Sequence, residues 1–340
     1  MKCLRWTIVI LGLFPPWASP AADGLVTYRV APQATDPAIA RFNNPHYVVI
    51  DPAAAPSADL LVFMPGSGGN PANVSDFLNV AALQGYRVVS LSYNDLPAVV
   101  ALCPRDPDPA CSAKVRQKRI FGDDVTRTID DRPAESIVNR LVKLLEKLDR
   151  DHPSEGWSQY LADGAPKWDR IVVAGHSQGA GMAAYIAQRR RVARVVLFSS
   201  PWDFFGRERQ LAPWILTGSG VTPADAWFGA YHRKENTADL IARSYKALKI
   251  PERNIRVFTL EPSRAMGENP YHLSMVGNGT TPRNNGSPAY DDNWRFLIGT
   301  SLRQKEEGFE LRQTSEATSA GRRDSSQVAP SRGAARCAMP

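Results

Sequence analysis

The chain has 340 residues, 43% hydrophobic and 22% charged, ample for one large domain with a buried core. Formal net charge is +7, but Lys2, Arg5 and four arginines in residues 313–340, set against Glu316 and Asp324, account for much of it. The remainder forms no basic stripe on a recognisable module, so composition argues against nucleic acid as a partner.

The N-terminus reads as an export signal. Lys2 and Arg5 form a basic start, Thr7 to Phe14 is a short apolar run, and Ser19-Pro20-Ala21 offers a small-x-small cleavage site. The expected division is a signal peptide over 1–22, one catalytic domain over 23–312 and a disordered tail over 313–340. The apolar run is too short to span a bilayer comfortably, so no stable membrane insertion is expected; an uncleaved anchor is the competing reading. Cys3 precedes the run, which rules it out as a lipoprotein attachment site. The expected location is secreted or periplasmic.

Eight candidate strands follow: Val26–Val30, Tyr47–Asp51, Leu60–Met64, Arg87–Tyr93, Arg170–Ala174, Arg194–Phe198, Ala226–Tyr231 and Ile255–Leu260. Several are continuous apolar runs, as strands covered on both faces should be. Helix signals fall at Asn73–Leu83, Ala134–Asp149, Gly179–Arg190, Ala238–Leu248 and Asp291–Leu302. From the third strand on, strand and helix largely alternate, which predicts a mostly parallel sheet with helices on both faces. The stretch 94–133 reads as a long irregular insertion. Within it, Lys114, Arg116, Lys118 and Arg119 read as a solvated loop or helix face. Cys103 and Cys111 bracket a Pro-rich loop that suits a local disulfide in an oxidising compartment, with two free thiols as the alternative. No His lies in that loop, and no metal or cofactor motif is found. Cys337 is left over in the tail. From about Gln313, Ser, Thr, Gly, Ala and Arg dominate without periodicity.

The most informative segment is Arg170 to Gly181. A β-branched apolar run enters Gly175-His176-Ser177-Gln178-Gly179 and leaves through an Ala-rich helix. Strand, G-x-S-x-G and helix together are the context of a nucleophile elbow, in which a strained turn exposes the serine hydroxyl. A Gly-Ser loop with no chemistry is the bland alternative. A second Gly-rich turn, Met64-Pro-Gly-Ser-Gly-Gly69, follows the third strand. It lacks the Lys-Ser/Thr ending of a phosphate-binding loop and the full dinucleotide spacing.

With Ser177 after the fifth of eight strands, the chain resembles the α/β-hydrolase fold over roughly residues 25–302, and is most like secreted bacterial serine esterases and lipases. The resemblance rests on GHSQG at 175–179 and MPGSGG at 64–69. It implies an oxyanion hole from the backbone N–H groups of Ser67 and Gln178, although this chain has Pro65-Gly66 where the family often has His-Gly. It also implies a histidine after strand eight. Of the five histidines, 46, 152, 176, 232 and 272, only His272 follows that strand. The acid is usually on the turn after strand seven, where Glu235 stands; Asp203, after strand six, is the main alternative, with Glu261 and Asp239 behind. Trp202, Phe204, Phe205 and Trp214, between strands six and seven, could line an acyl pocket or simply fill the core.

The resulting expectation is hydrolysis of a small-molecule or polymeric carboxylic ester, with no cofactor. A peptidase, thioesterase or polyester depolymerase would use the same residues. A non-catalytic binding protein on a hydrolase scaffold is the alternative from another class. Oligomeric state is not legible in the sequence.

Overall fold

The computed structural model describes residues 19–20, 24–54 and 59–299. Eight principal strands make one twisted sheet: β1 (Val26–Val30), β2 (His46–Ile50), β3 (Leu60–Met64), β4 (Arg87–Ser90), β5 (Ile171–His176), β6 (Arg194–Phe198), β7 (Trp227–His232) and β8 (Ile255–Phe258). Their spatial order is β1-β2-β4-β3-β5-β6-β7-β8. β2 runs antiparallel to both neighbours, and every pair from β4 to β8 is parallel. This is the α/β-hydrolase fold. Ser19–Pro20 pairs antiparallel with Val26–Thr27 at the β1 edge. The remainder of the expected signal and the whole expected tail, with Cys3 and Cys337, lie outside the described residues.

Strand periodicity divides the apolar side chains between two cores. Leu60, Val62 and Met64 of β3 point into one, with Val173, Val195, Leu197 and Trp227. Leu61 and Phe63 point into the other, with Val172, Ala174, Val196, Phe198 and Phe228. Helices α2 (Cys111–Phe121), α3 (Ile137–Asp151), α4 (Gln178–Arg189) and α5 (Ala238–Ala247) cover the first face. Helices α1 (Ser75–Leu83) and α6 (Asp291–Ile298) cover the second. Among the described residues, no helix is long and apolar enough to cross a membrane.

The insertion at 94–133 corrects the sequence reading. It contains α2, and three of its cations are buried rather than solvated. Arg116 makes a bidentate pair with Asp203, at 2.7 Å from Nε and 2.6 Å from Nη2, and its guanidinium lies over Trp214. Arg119 Nε donates to Asp131 at 3.0 Å, and Lys118 Nζ donates to Asp124 and to the Thr126 carbonyl, each at 2.9 Å. Only Lys114 behaves as expected, in an exposed pair with Asp108. The local pattern marked this face as polar; its charges are buried because carboxylates meet them, Asp124 and Asp131 from later in the insertion and Asp203 from beyond β6. Cys103 and Cys111 form a disulfide that closes the Pro-rich loop at the start of α2.

Removing one partner of a buried pair leaves a desolvated charge, which costs about 3–5 kcal/mol. Asp203→Ala should therefore lower the urea midpoint by that equivalent, whereas Lys114→Ala should stay within about 0.5 kcal/mol of the parent. Equal effects in urea unfolding would contradict the assignment of Arg116–Asp203 as a structural pair.

Candidate active site

β3, β5, β6 and β7 end at one edge of the sheet, and their C-terminal turns build the site. β5 ends at His176 and α4 begins at Gln178, leaving Ser177 between them at φ 52°, ψ −122°. A non-glycine residue there carries strain of order 1–3 kcal/mol, so the surroundings must hold it. The Ser177 N–H donates to the Phe198 carbonyl at 2.9 Å, and its carbonyl accepts from Gly181 N–H at 3.1 Å. The flanking glycines permit close approach. A Cβ on Gly175 would lie 2.4 Å from the Gly179 carbonyl carbon, and one on Gly179 would lie 1.9 Å from the Met64 oxygen.

The residues singled out for a triad meet. His272 Nε2 lies 2.8 Å from Ser177 Oγ, and His272 Nδ1 lies 2.8 Å from Glu235 Oε2. Glu235 is buried on the turn after β7. Its Oε1 accepts from the His232 N–H and from Ser199 Oγ, both at 2.8 Å. Ser199 is a residue that sequence reasoning missed. It follows β6 at φ 55°, and its hydroxyl also lies 3.2 Å from the His272 carbonyl. The only available signal was its place at the end of an apolar strand.

Asp203, the alternative acid, is not in contact with His272; its carboxylate is taken by Arg116 and by Trp214 Nε1. Glu261 pairs with Lys234 and Tyr271. Asp239 stands in the first turn of α5. Of the other histidines, His46 accepts the Ser92 N–H, His152 stacks on Tyr28, and His232 bonds the Leu260 carbonyl.

His176 supports the imidazole from behind. Its Nε2 is 2.7 Å from the His272 carbonyl, and the two rings lie 4.7 Å apart. Burial, reinforced by the neighbouring His272, holds the His176 pKa down to about 3. The ring is therefore neutral at ordinary pH and donates its Nε2–H to that carbonyl. His46 is likewise lowered to about 3 by burial and by Arg140.

Ser67 and Gln178 line one small cleft with Ser177, together with Val99, Val100 and Trp202; it measures about 30 Å³. Arg116 and Asp203 line it as well. Two contacts found only in the structure hold its walls. Gln178 Oε1 accepts the Val99 N–H at 2.7 Å, and Gln178 Nε2 donates to the Asp95 carbonyl. The Asp95 carboxylate faces the N–H groups of Gly68 and Gly69 in the loop after β3; burial raises its pKa and those N–H groups oppose the rise. The insertion thus braces both the elbow and the Gly-rich loop. Among the described residues, no group of three metal-ligating side chains is gathered.

No protein-family model matches the chain, and no curated protein matches it. Solved structures do. Thermogutta terrifontis esterase 2 phosphorylated by paraoxon is 13% identical, with 81% of this chain and 95% of that one covered, at a TM-score of 0.44. TT1662 from Thermus thermophilus is 15% identical, with 69% and 88% covered, at 0.34. At such values the fold assignment rests on this chain's own strand order.

Two buried neutral histidines make a pH prediction. Each has a pKa near 3 in the folded chain against about 6.5 when unfolded, so between those limits the unfolded chain binds the extra protons. Stability should be unaffected by them above pH 6.5 and should fall on acidification, by on the order of 2 kcal/mol per histidine at pH 5. Urea midpoints at neutral and mildly acidic pH test this; no loss on acidification would show that the rings are not held neutral.

Proposed function

We propose that the chain is a serine hydrolase that cleaves a carboxylic ester through an acyl-enzyme. The observation that carries this reading is the unbroken hydrogen-bond run Ser177–His272–Glu235, with its serine in a cleft lined by Ser67 and Gln178. In the proposed mechanism His272 Nε2 takes the Ser177 proton as Oγ attacks the acyl carbon, and then returns it to the departing alcohol. Glu235 keeps Nδ1 protonated and stabilises the imidazolium; with Oε1 already bonded to His232 N–H and Ser199 Oγ, only Oε2 remains to orient the ring. The backbone N–H groups of Ser67 and Gln178 would receive the oxyanion, each contributing about 3 kcal/mol. Water then repeats the sequence on the acyl-enzyme. A small-molecule or polymeric ester is the proposed substrate, and a secreted or periplasmic location fits the disulfide.

Ser177→Ala should abolish labelling by a fluorophosphonate and turnover of p-nitrophenyl esters, while circular dichroism stays that of the parent. Labelling that survives on the mutant rules Ser177 out as the nucleophile. The two carboxylates should separate by kind of damage. Glu235→Gln should cut kcat severely, by up to about 10⁴-fold, with little loss of stability. Asp203→Asn should act chiefly on stability. The reverse ranking of kcat would transfer the orienting role to Asp203.

A further inference from the structure

Beside the cleft at Ser177 lies a much larger open groove of about 1030 Å³. One wall is the disulfide-closed loop, with Val100, Pro104 and Arg105. The other is a short hairpin, Phe204–Phe205 against Gln210–Leu211, whose turn carries Arg207 and Arg209. The walls are fastened where the Gly206 N–H donates to the Pro104 carbonyl at 3.1 Å. Val100 lines both spaces, so the groove adjoins the cleft.

The charges in this groove are arranged unlike those elsewhere in the insertion. Arg116, Arg119 and Lys118 are buried and each meets a carboxylate. Arg105, Arg207 and Arg209 are exposed, and among the described residues none of them has an ion-pair partner. The Arg209 guanidinium lies 4.9 Å from the Phe204 ring centre, which keeps it against the wall. Two carboxylates accompany them: Asp106, which itself lines the groove and accepts the Asp108 N–H at 2.9 Å, and Glu208, in the same turn as Arg207 and Arg209, which accepts from Gln210 Nε2 at 3.1 Å, so the three arginines outnumber the acids by one. Three guanidiniums without an ion-pair partner among the described residues thus line an open groove that also carries Val100, Phe204 and Phe205.

Resting on the serine hydrolase reading, we infer that this groove is the subsite for an anionic end of the ester substrate. The substrate class is an ester with an apolar body and a terminal oxyanionic group, carboxylate or phosphate. The body lies along Val100 and Phe204, the ester carbonyl reaches Ser177, and the anion sits among Arg105, Arg207 and Arg209. Guanidinium forks match the oxygens of either group.

The test compares kcat/KM for anionic esters and their neutral caps at low salt. The acyl-side arm uses p-nitrophenyl half-esters of succinate, adipate and suberate against their methyl-capped diesters. The alcohol-side arm uses acetate esters of hydroxy acids and of phosphorylated diols against neutral analogues. The parent should prefer anionic members of one arm by about tenfold, and high salt should shrink the preference. The double variant Arg207→Gln/Arg209→Gln should lower the anionic-to-neutral ratio by about tenfold. Arg253→Gln, before β8, removes a charge away from the groove and should leave the ratio as it was. Equal turnover of anionic and neutral esters in both arms, or an unchanged ratio in the double variant, overturns the subsite and leaves the hydrolase reading standing. If no ester is turned over and Ser177 is not labelled, that reading fails instead. Calorimetry of the Ser177→Ala protein with adipate and with inorganic phosphate then decides the groove alone. Saturable, salt-sensitive binding lost in the arginine variant supports it, and no binding overturns it.

Discussion

At Gly179 the first turn of α4 presses against the end of β3 so closely that an added Cβ would sit 1.9 Å from the Met64 carbonyl oxygen. This contact sets the position of the elbow. With α4 held against β3 and the Ser177 N–H tied to β6, Ser177 keeps its positive φ and its hydroxyl stands at the sheet edge. The Gly-rich loop after β3 is drawn to the same point, so Ser67 and Ser177 share a cleft. The strain at Ser177 persists because neighbours on three strands over-determine it.

Around that contact the structure provides rigidity from two directions. From the β7 and β8 side, Glu235 accepts from three donors, and His272 is held through its side chain by Glu235 and through its carbonyl by His176. From the other side, the insertion supplies Asp95 and Arg116. Asp95 addresses the Gly68–Gly69 turn, and Arg116 Nη1 lies 3.3 Å from the Gln178 carbonyl while its other nitrogens hold Asp203. A segment that looks like a surface elaboration is thus the brace of the cleft. Bonds of this kind pre-organise a site, because donors already in place need no rearrangement when charge develops.

Much of this was legible in the chain alone. All eight strands fall where apolar β-branched runs predicted them, with ends shifted by a few residues. β4 stops at Ser90 rather than Tyr93, and β8 at Phe258 rather than Leu260. The elbow was readable because its glycines and its strand–helix context are local. Helix α2 was not, since its buried arginines look like a solvated face in sequence. Asp95 gave no signal and Ser199 only the weak one of ending an apolar strand, as a serine after a strand and an aspartate in a loop are ordinary residues.

The division follows from range. Strand period, helix period and the glycine requirement act over a few residues, so the sequence by itself determined the order of elements, the parallel sheet and Ser177 on its turn. It narrowed the acid to a short list on topological grounds but could not choose, because Glu235 and Asp203 each follow a strand that ends at the same sheet edge. In the tertiary structure only one of the two is hydrogen-bonded to the imidazole. Glu235 is 37 residues from His272 and reaches its Nδ1, while Asp203 is 87 residues from Arg116 and is neutralised by it. A buried carboxylate must find a cation or donors wherever the fold places them, and that matching of charges across distant segments has no local pattern to read.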